Sequence, residues 1–334
     1  QVPDHEVAFG ALVHTVPNVA GLLRVVESAQ LKQLDYVFVT SDGGGNPYDQ
    51  APTFQSTIPT ALHRPVMANQ AFDIVEMADG HVIECPCVIS SAGVHNTFKH
   101  LLDTDVNHQS GYESNLPSVK PSISHLGVYI GLKATAEELG LPRTNFWIYS
   151  DSDYDGAVEK FLKEPDAPFP AVYISFPSAK DPDYLNRRPG TATIEIVAPA
   201  PYEWFEKWKD TPWGKRGDDY EAFKAELGER LMAVLYQKLP HLRDRVDYYE
   251  VSTPLSTEYF CSYGRGELYG IDHDPARFRQ DWLGPRTRIR GLWLTGQDVL
   301  TCGVTGAMMA GVLTTTAIVG MRRMGRLMKR IGGS

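Results

Sequence analysis

The sequence is short of positive charge: 32 lysines and arginines against 41 aspartates and glutamates leave a net charge of −9. A general nucleic-acid binder needs a basic footprint, so that class is excluded. Cysteine is scarce too, four in 334 residues, which does not make a disulfide scaffold. Cys85 and Cys87 are two apart and face one side of a strand. No second pair of ligands lies near them in sequence, so they read as small buried hydrophobes and no metal site is expected. No G-x-G-x-x-G fingerprint occurs anywhere. The segment SDGGGNPYDQ (41–50) has three glycines, but Asn46-Pro47 stands where a helix would start and no Lys-Ser/Thr follows. It reads as a surface turn. The first twenty residues, which begin with Gln1 and include Asp4, Glu6 and two prolines, show no signal peptide. The expectation is a chain that is not secreted, either cytoplasmic or peripherally membrane-associated.

Long apolar runs are nearly absent. The exception is Val304–Met321, eighteen uncharged residues followed by Arg322, Arg323, Arg326, Lys329 and Arg330. Length and basic flank meet the minimum for a spanning helix, but internal glycines and Thr305, Thr314, Thr315 and Thr316 suit a buried helix better. The basic tail reads either as a contact with an anionic membrane surface or as a solvated, cation-rich helix end. With 43% hydrophobic and 22% charged residues, the rest has the balance of a globular protein large enough for one big domain or two.

What is present centres on Gly291–Gly311, GLWLTGQDVLTCGVTGAMMAG. Leu292, Trp293 and Leu294 suit a buried strand. Thr295-Gly296-Gln297-Asp298 is a polar turn, and Gly303 and Gly306 open a helix. Strand, glycine-rich turn and helix N-terminus together hold anionic or dipolar ligands through free N–H groups and the helix dipole. Glycine spacing alone equally suits a tightly packed helix with no ligand. Asp298 at the end of an apolar strand requires solvent, a hydroxyl or an N–H partner; a ribityl chain or ribose would serve.

Elsewhere a helix is expected over 19–34 and a strand over 35–40. A hairpin is expected over 72–87 about the turn 78–81. Val88-Ile89 then runs through Ser90-Ser91-Ala92-Gly93 into a helix starting near Asn96. Strands are expected at 126–130, 171–176 and 191–197. Tyr202, Phe205 and Trp208 would share one helix face, either as core or as lining for an apolar ligand. Residues 218–239 form an amphipathic helix ended by Pro240. Asp272-His273-Asp274 reads as structural hydrogen bonding or as a proton-handling site.

LTGQDVLTCGVTGAM closely resembles the C-terminal flavin-binding segment of the retinol saturase family, within the phytoene desaturase and carotenoid isomerase group. The resemblance extends through CPCVISSAGVHNTFKHLL (85–102), FPSAKDPDY (176–184), PYEWFEKW (201–208), GKRGDDYEAFK (214–224) and GELYGIDHDPARF (266–278). It covers roughly residues 70–320. It implies an α/β, glutathione-reductase-like FAD-binding fold with an inserted strand-rich substrate domain, here without the N-terminal Rossmann βαβ whose fingerprint receives the ADP half of FAD. The implied parts are a partial FAD domain (1–105), a substrate domain (106–285) and a return segment (286–334). The implied activity is FAD-dependent saturation of a double bond in a retinol- or carotenoid-like polyene, with NAD(P)H the candidate electron donor. A carotenoid isomerase or desaturase fits the same residues, and so does a non-catalytic lipid-binding module. Gly296, Asp298, Gly303 and Gly306 would lie at the flavin, with Val304 and Thr305 turning N–H groups to the ring's carbonyl edge and Ala92-Gly93 at the pocket. His273 and Tyr269 are the candidates for proton transfer, because such a reduction delivers a proton with the hydride.

Overall fold

The computed structural model describes residues 37–39, 59–63, 74–77, 82–84 and 86–332. The expected 19–34 helix and the 41–50 turn lie outside these residues. In chain order the strands are β1 (Val37–Val39), β2 (Pro59–His63), β3 (Ile74–Met77), β4 (Val82–Glu84), β5 (Val88–Ser90), β6 (His125–Lys133), β7 (Phe146–Tyr149), β8 (Ala171–Ser175), β9 (Thr191–Pro199), β10 (Val246–Ser252) and β11 (Leu292–Leu294). They fall into two compact units. One is built from residues up to Ser122 and from Tyr269 onward, the other from Ile123–Leu268. The expected junctions stood at 105/106 and 285/286. Tyr112, Leu116, Ile271 and Trp282 all pack in the core of the first unit, which carries its borders to 122 and 269.

In the first unit β1, β5 and β11 form a parallel sheet, with Val88 opposite both Val37 and Leu292. Val88, Leu292 and Leu294 are buried, as short apolar strands in a parallel sheet usually are. The expected hairpin is β3 and β4, paired antiparallel, with β2 on the other side of β3. After β5 the helix begins at Val94, two residues before the expected start. Gly93, at φ +89°, turns the chain there, a conformation open to glycine at no steric cost. Phe98 on this helix stacks on Tyr112 with ring centroids 3.8 Å apart. The uncharged run near the C-terminus forms helix Gly303–Val319, and Gly320 at φ +85° separates it from the basic helix Met321–Gly332. Among the described residues no helix is long and apolar enough to cross a membrane.

In the second unit five antiparallel strands run in the order β10-β6-β9-β8-β7. The three strands expected here are β6, β8 and β9. Leu126, Val128, Ile130 and Leu132 of β6 and Ile194 and Ile196 of β9 bury one face, following the period-two alternation of a half-covered sheet. Helix Asp218–Lys238 brings Leu227, Leu231 and Leu235 to the same core and stops before Pro240. Gly228 lets it approach β10, since a Cβ there would stand 2.6 Å from Val251 Cγ2. Tyr202, Phe205 and Trp208 do not share a regular helix face. Tyr202 and Trp208 sit on two successive 3-10 turns, Tyr202–Trp204 and Glu206–Trp208, with Phe205 at the junction between them, and all three are core residues.

The two crossings between units run side by side. Pro121 bridges to Ile271 within the first unit, and Ser124 to Glu267 within the second.

Candidate functional site

The parallel strands β5 and β11 end together, and each is followed by a turn and a helix. The turns touch. Thr295 N donates to Ser90 O at 2.9 Å, and a Cβ on Gly296 would lie 3.5 Å from Ser91 Cβ. Gly296 holds φ +89°. In open α/β sheets ligands bind outside the carboxyl ends of the strands, where such turns converge.

The first turn is rigid. Thr97 Oγ1 donates to Gly93 O at 2.7 Å and lies 2.7 Å from Ser90 Oγ. Asn96 Nδ2 donates to Ala92 O at 3.0 Å, and Ala92 is buried. The second turn is held by Asp298, only 4% exposed. Its Oδ2 accepts from Val94 N at 2.9 Å and its Oδ1 from Ile271 N at 3.0 Å. The partners required by its burial are therefore main-chain N–H groups rather than ligand hydroxyls. Gly270 makes room for the carboxylate, since a Cβ at that position would come within 2.1 Å of Oδ1.

Arg277, 3% exposed, was not singled out from the sequence. It donates to Ile271 O at 2.9 Å, Gln297 O at 2.5 Å and Leu300 O at 3.3 Å. The planar guanidinium thereby ties the 271–277 loop to the turn after β11. Burial lowers its pKa, and the Asp298 charge acts in the opposite sense. The only sequence signal was an arginine inside the GELYGIDHDPARF block, and nothing local distinguishes a buried arginine from a solvated one.

His273, one of the two residues expected to move a proton, also holds the start of the 303–319 helix. Its Nε2 accepts the N–H of Cys302 at 2.8 Å, at the start of the 303–319 helix. Arg277 Nη1 lies 3.1 Å from the same nitrogen. Burial first, then the Arg277 charge, lowers its pKa below the usual histidine value. In this arrangement Nε2 is the acceptor of a main-chain N–H. Asp272 and Asp274 each accept a nearby main-chain N–H, from His273 and Arg277. Among the described residues no group of three or more His, Cys, Asp or Glu is placed to hold a metal. Tyr269 is partly exposed, and its main-chain N–H donates to Ser122 Oγ at 2.9 Å.

The start of the 303–319 helix is open. No side chain caps it, and Gly303, Val304 and Thr305 are exposed. A Cβ on Gly303 would meet nothing within 4 Å. Gly306 is buried instead, since its Cβ would lie 2.1 Å from Thr301 O. Thr314 Oγ1 donates to Leu294 O at 2.8 Å and fixes the helix to β11. Three uncapped N–H groups at the positive end of a seventeen-residue helix form a rigid donor set for a carbonyl or an anion.

The second unit holds an apolar cleft of about 180 Å³, lined by Ile123, Tyr149, Tyr154, Val158 and Leu162 among others. That is below the ~300–1,000 Å³ of ordinary small-molecule sites.

No family model matches the chain. It is 41% identical to the all-trans-retinol 13,14-reductase of Rattus norvegicus over 244 residues, 71% of this chain and 40% of that protein. This chain is a relative of the all-trans-retinol 13,14-reductases. It spans about two fifths of the length of those curated relatives. One retinol-reductase relative, from Danio rerio and 30% identical over 71% of this chain and 40% of its own length, is named an inactive all-trans-retinol 13,14-reductase. A lycopene-forming phytoene desaturase of Pseudescherichia vulneris is 23% identical over 76% of this chain and 49% of that protein.

Proposed function

We propose that this chain forms the flavin-contacting and substrate-domain parts of an FAD-dependent oxidoreductase of glutathione-reductase-like fold. Its reaction is saturation of one double bond of a retinol-like polyene. The reading rests on the open first turn of the 303–319 helix, set at the carboxyl ends of two parallel strands. That arrangement fits the ring end of a flavin. The N–H groups of Gly303, Val304 and Thr305 would face its carbonyl edge, with Gly296 and the Ala92–Gly93 turn giving close main-chain approach. Asp298 is a positioning residue, since it sets Val94 and Ile271 around the turn. His273 holds the helix start, and His273 and Tyr269 are the candidates for moving a proton.

When bound, FAD supplies hydride-transfer chemistry, and the protein's part is to hold, orient and keep water away. No residues here match the fingerprint that receives the ADP half. A second reading has a specific support: one relative is named inactive. In it the same fold acts as a lipid-binding or interaction module.

The visible spectrum of the purified chain, mixed with FAD and desalted, separates the two. A retained flavin band supports the oxidoreductase, and a colourless folded protein supports the module. Anaerobic incubation with all-trans-retinol and a reductant, NAD(P)H first, then tests the chemistry. Saturation adds two hydrogen atoms to the product mass. An isomerase leaves the mass unchanged and a desaturase lowers it.

A further inference from the structure

The Met321–Gly332 helix separates its side chains by chemistry. At 3.6 residues per turn Met321, Met324, Leu327 and Met328 fall on one arc, and Arg322, Arg323, Arg326 and Lys329 on the opposite one. Met324, at 8% exposure, anchors the helix to the protein. Met321 and Met328, one heptad apart, stay 82% and 49% exposed beside the cations. All four cations are exposed, and among the described residues none of them is paired with a carboxylate. No Asp or Glu occurs after Asp298, although the chain as a whole carries −9. Positive charge is thus gathered in one place on an otherwise acidic protein.

We propose that this helix docks the chain, lying flat, on an anionic lipid surface. The four cations meet the headgroups, and Met321 and Met328 enter the boundary between headgroups and acyl chains. Twelve residues span about 18 Å, too short for a hydrocarbon core of about 30 Å, so the helix lies on the bilayer rather than across it. A nucleic acid would use the cations but leave the exposed methionines in water, and the acidic remainder of the chain would repel it. The inference is independent of the redox reading, because it concerns only the outer surface of one helix.

Flotation of the full chain with phosphatidylcholine vesicles, with and without phosphatidylserine, tests it. The chain should float only with phosphatidylserine vesicles and should be released at about 1 M salt, where the screening length falls to roughly 3 Å. Arg322→Glu with Arg326→Glu should lower partitioning at least about tenfold, given a roughly fivefold effect per charge near such a surface. Met321→Ser with Met328→Ser should weaken it several-fold while keeping the salt dependence. All four residues are exposed, so circular dichroism should show both double variants folded. Equal flotation with neutral vesicles, no flotation with anionic ones, indifference to charge reversal, or preferential capture of duplex DNA at the same salt would each overturn the proposal.

Discussion

Asp298 Oδ2 accepts the main-chain N–H of Val94 at 2.9 Å, from a residue 204 positions earlier in the chain. The other oxygen accepts from Ile271. One buried carboxylate thus joins three distant stretches where two parallel strands end.

Asp298→Asn should destabilise the fold by about 1–3 kcal/mol. An amide offers one acceptor oxygen and a donor nitrogen, so one of the two N–H groups would face another N–H without water to replace the bond. Urea unfolding, analysed by linear extrapolation, reads the change. A loss under about 0.5 kcal/mol, the level of an ordinary surface substitution, would show that the carboxylate is not the tie described.

Two glycines of similar backbone should respond differently to alanine. Gly270 (φ +62°) and Gly303 (φ +81°) both pay the left-handed penalty, roughly 1 kcal/mol. At Gly270 the new methyl would also meet Asp298 Oδ1 at 2.1 Å, whereas at Gly303 it meets nothing. Gly270→Ala should therefore unfold at markedly lower urea than Gly303→Ala. Flavin retention should reverse the order of interest: Gly303→Ala, although folded, should hold less FAD. Equal midpoints for the two variants would refute the packing around Asp298.

Acid should weaken the protein through its histidines. Burial lowers the pKa of His125 to about 4 from 6.5, and its Nδ1 has no hydrogen-bond partner. His95 and His273 shift the same way. The folded state binds these protons less tightly than the unfolded chain. Stability is therefore complete above about pH 6.5 and falls as pH drops towards 4. His125 alone accounts for a loss on the order of 3 kcal/mol over that window. Urea midpoints measured from pH 7.5 to 4.5 should fall steeply, and His125→Leu should flatten the slope. An unchanged slope in that variant would remove His125 as the cause.

Much of the architecture was legible in local pattern. Leu292–Leu294 with its following turn and helix, the β3–β4 hairpin, and the 218–238 helix stopped by Pro240 all follow from periodicity and turn chemistry. What failed to show was long-range. A strand of three residues carries no mark of its parallel partner, so the adjacency of β5 and β11 was invisible. Asp298 was recognisable as a carboxylate needing a partner, but which N–H groups supply it depends on backbone brought in from 94 and 271. Arg277 and His273 were obscured for the same reason, because their partners are main-chain groups without sequence identity. The aromatic trio at 202–208 had the right burial on the wrong kind of turn.

The paired bridges Pro121–Ile271 and Ser124–Glu267 mean that residues 123–268 leave the first unit and come back at neighbouring points. An insert whose two ends meet behaves as a cassette. Exchange, enlargement or removal of this block leaves the parallel strands threaded as before, so the two units are free to diverge at different rates.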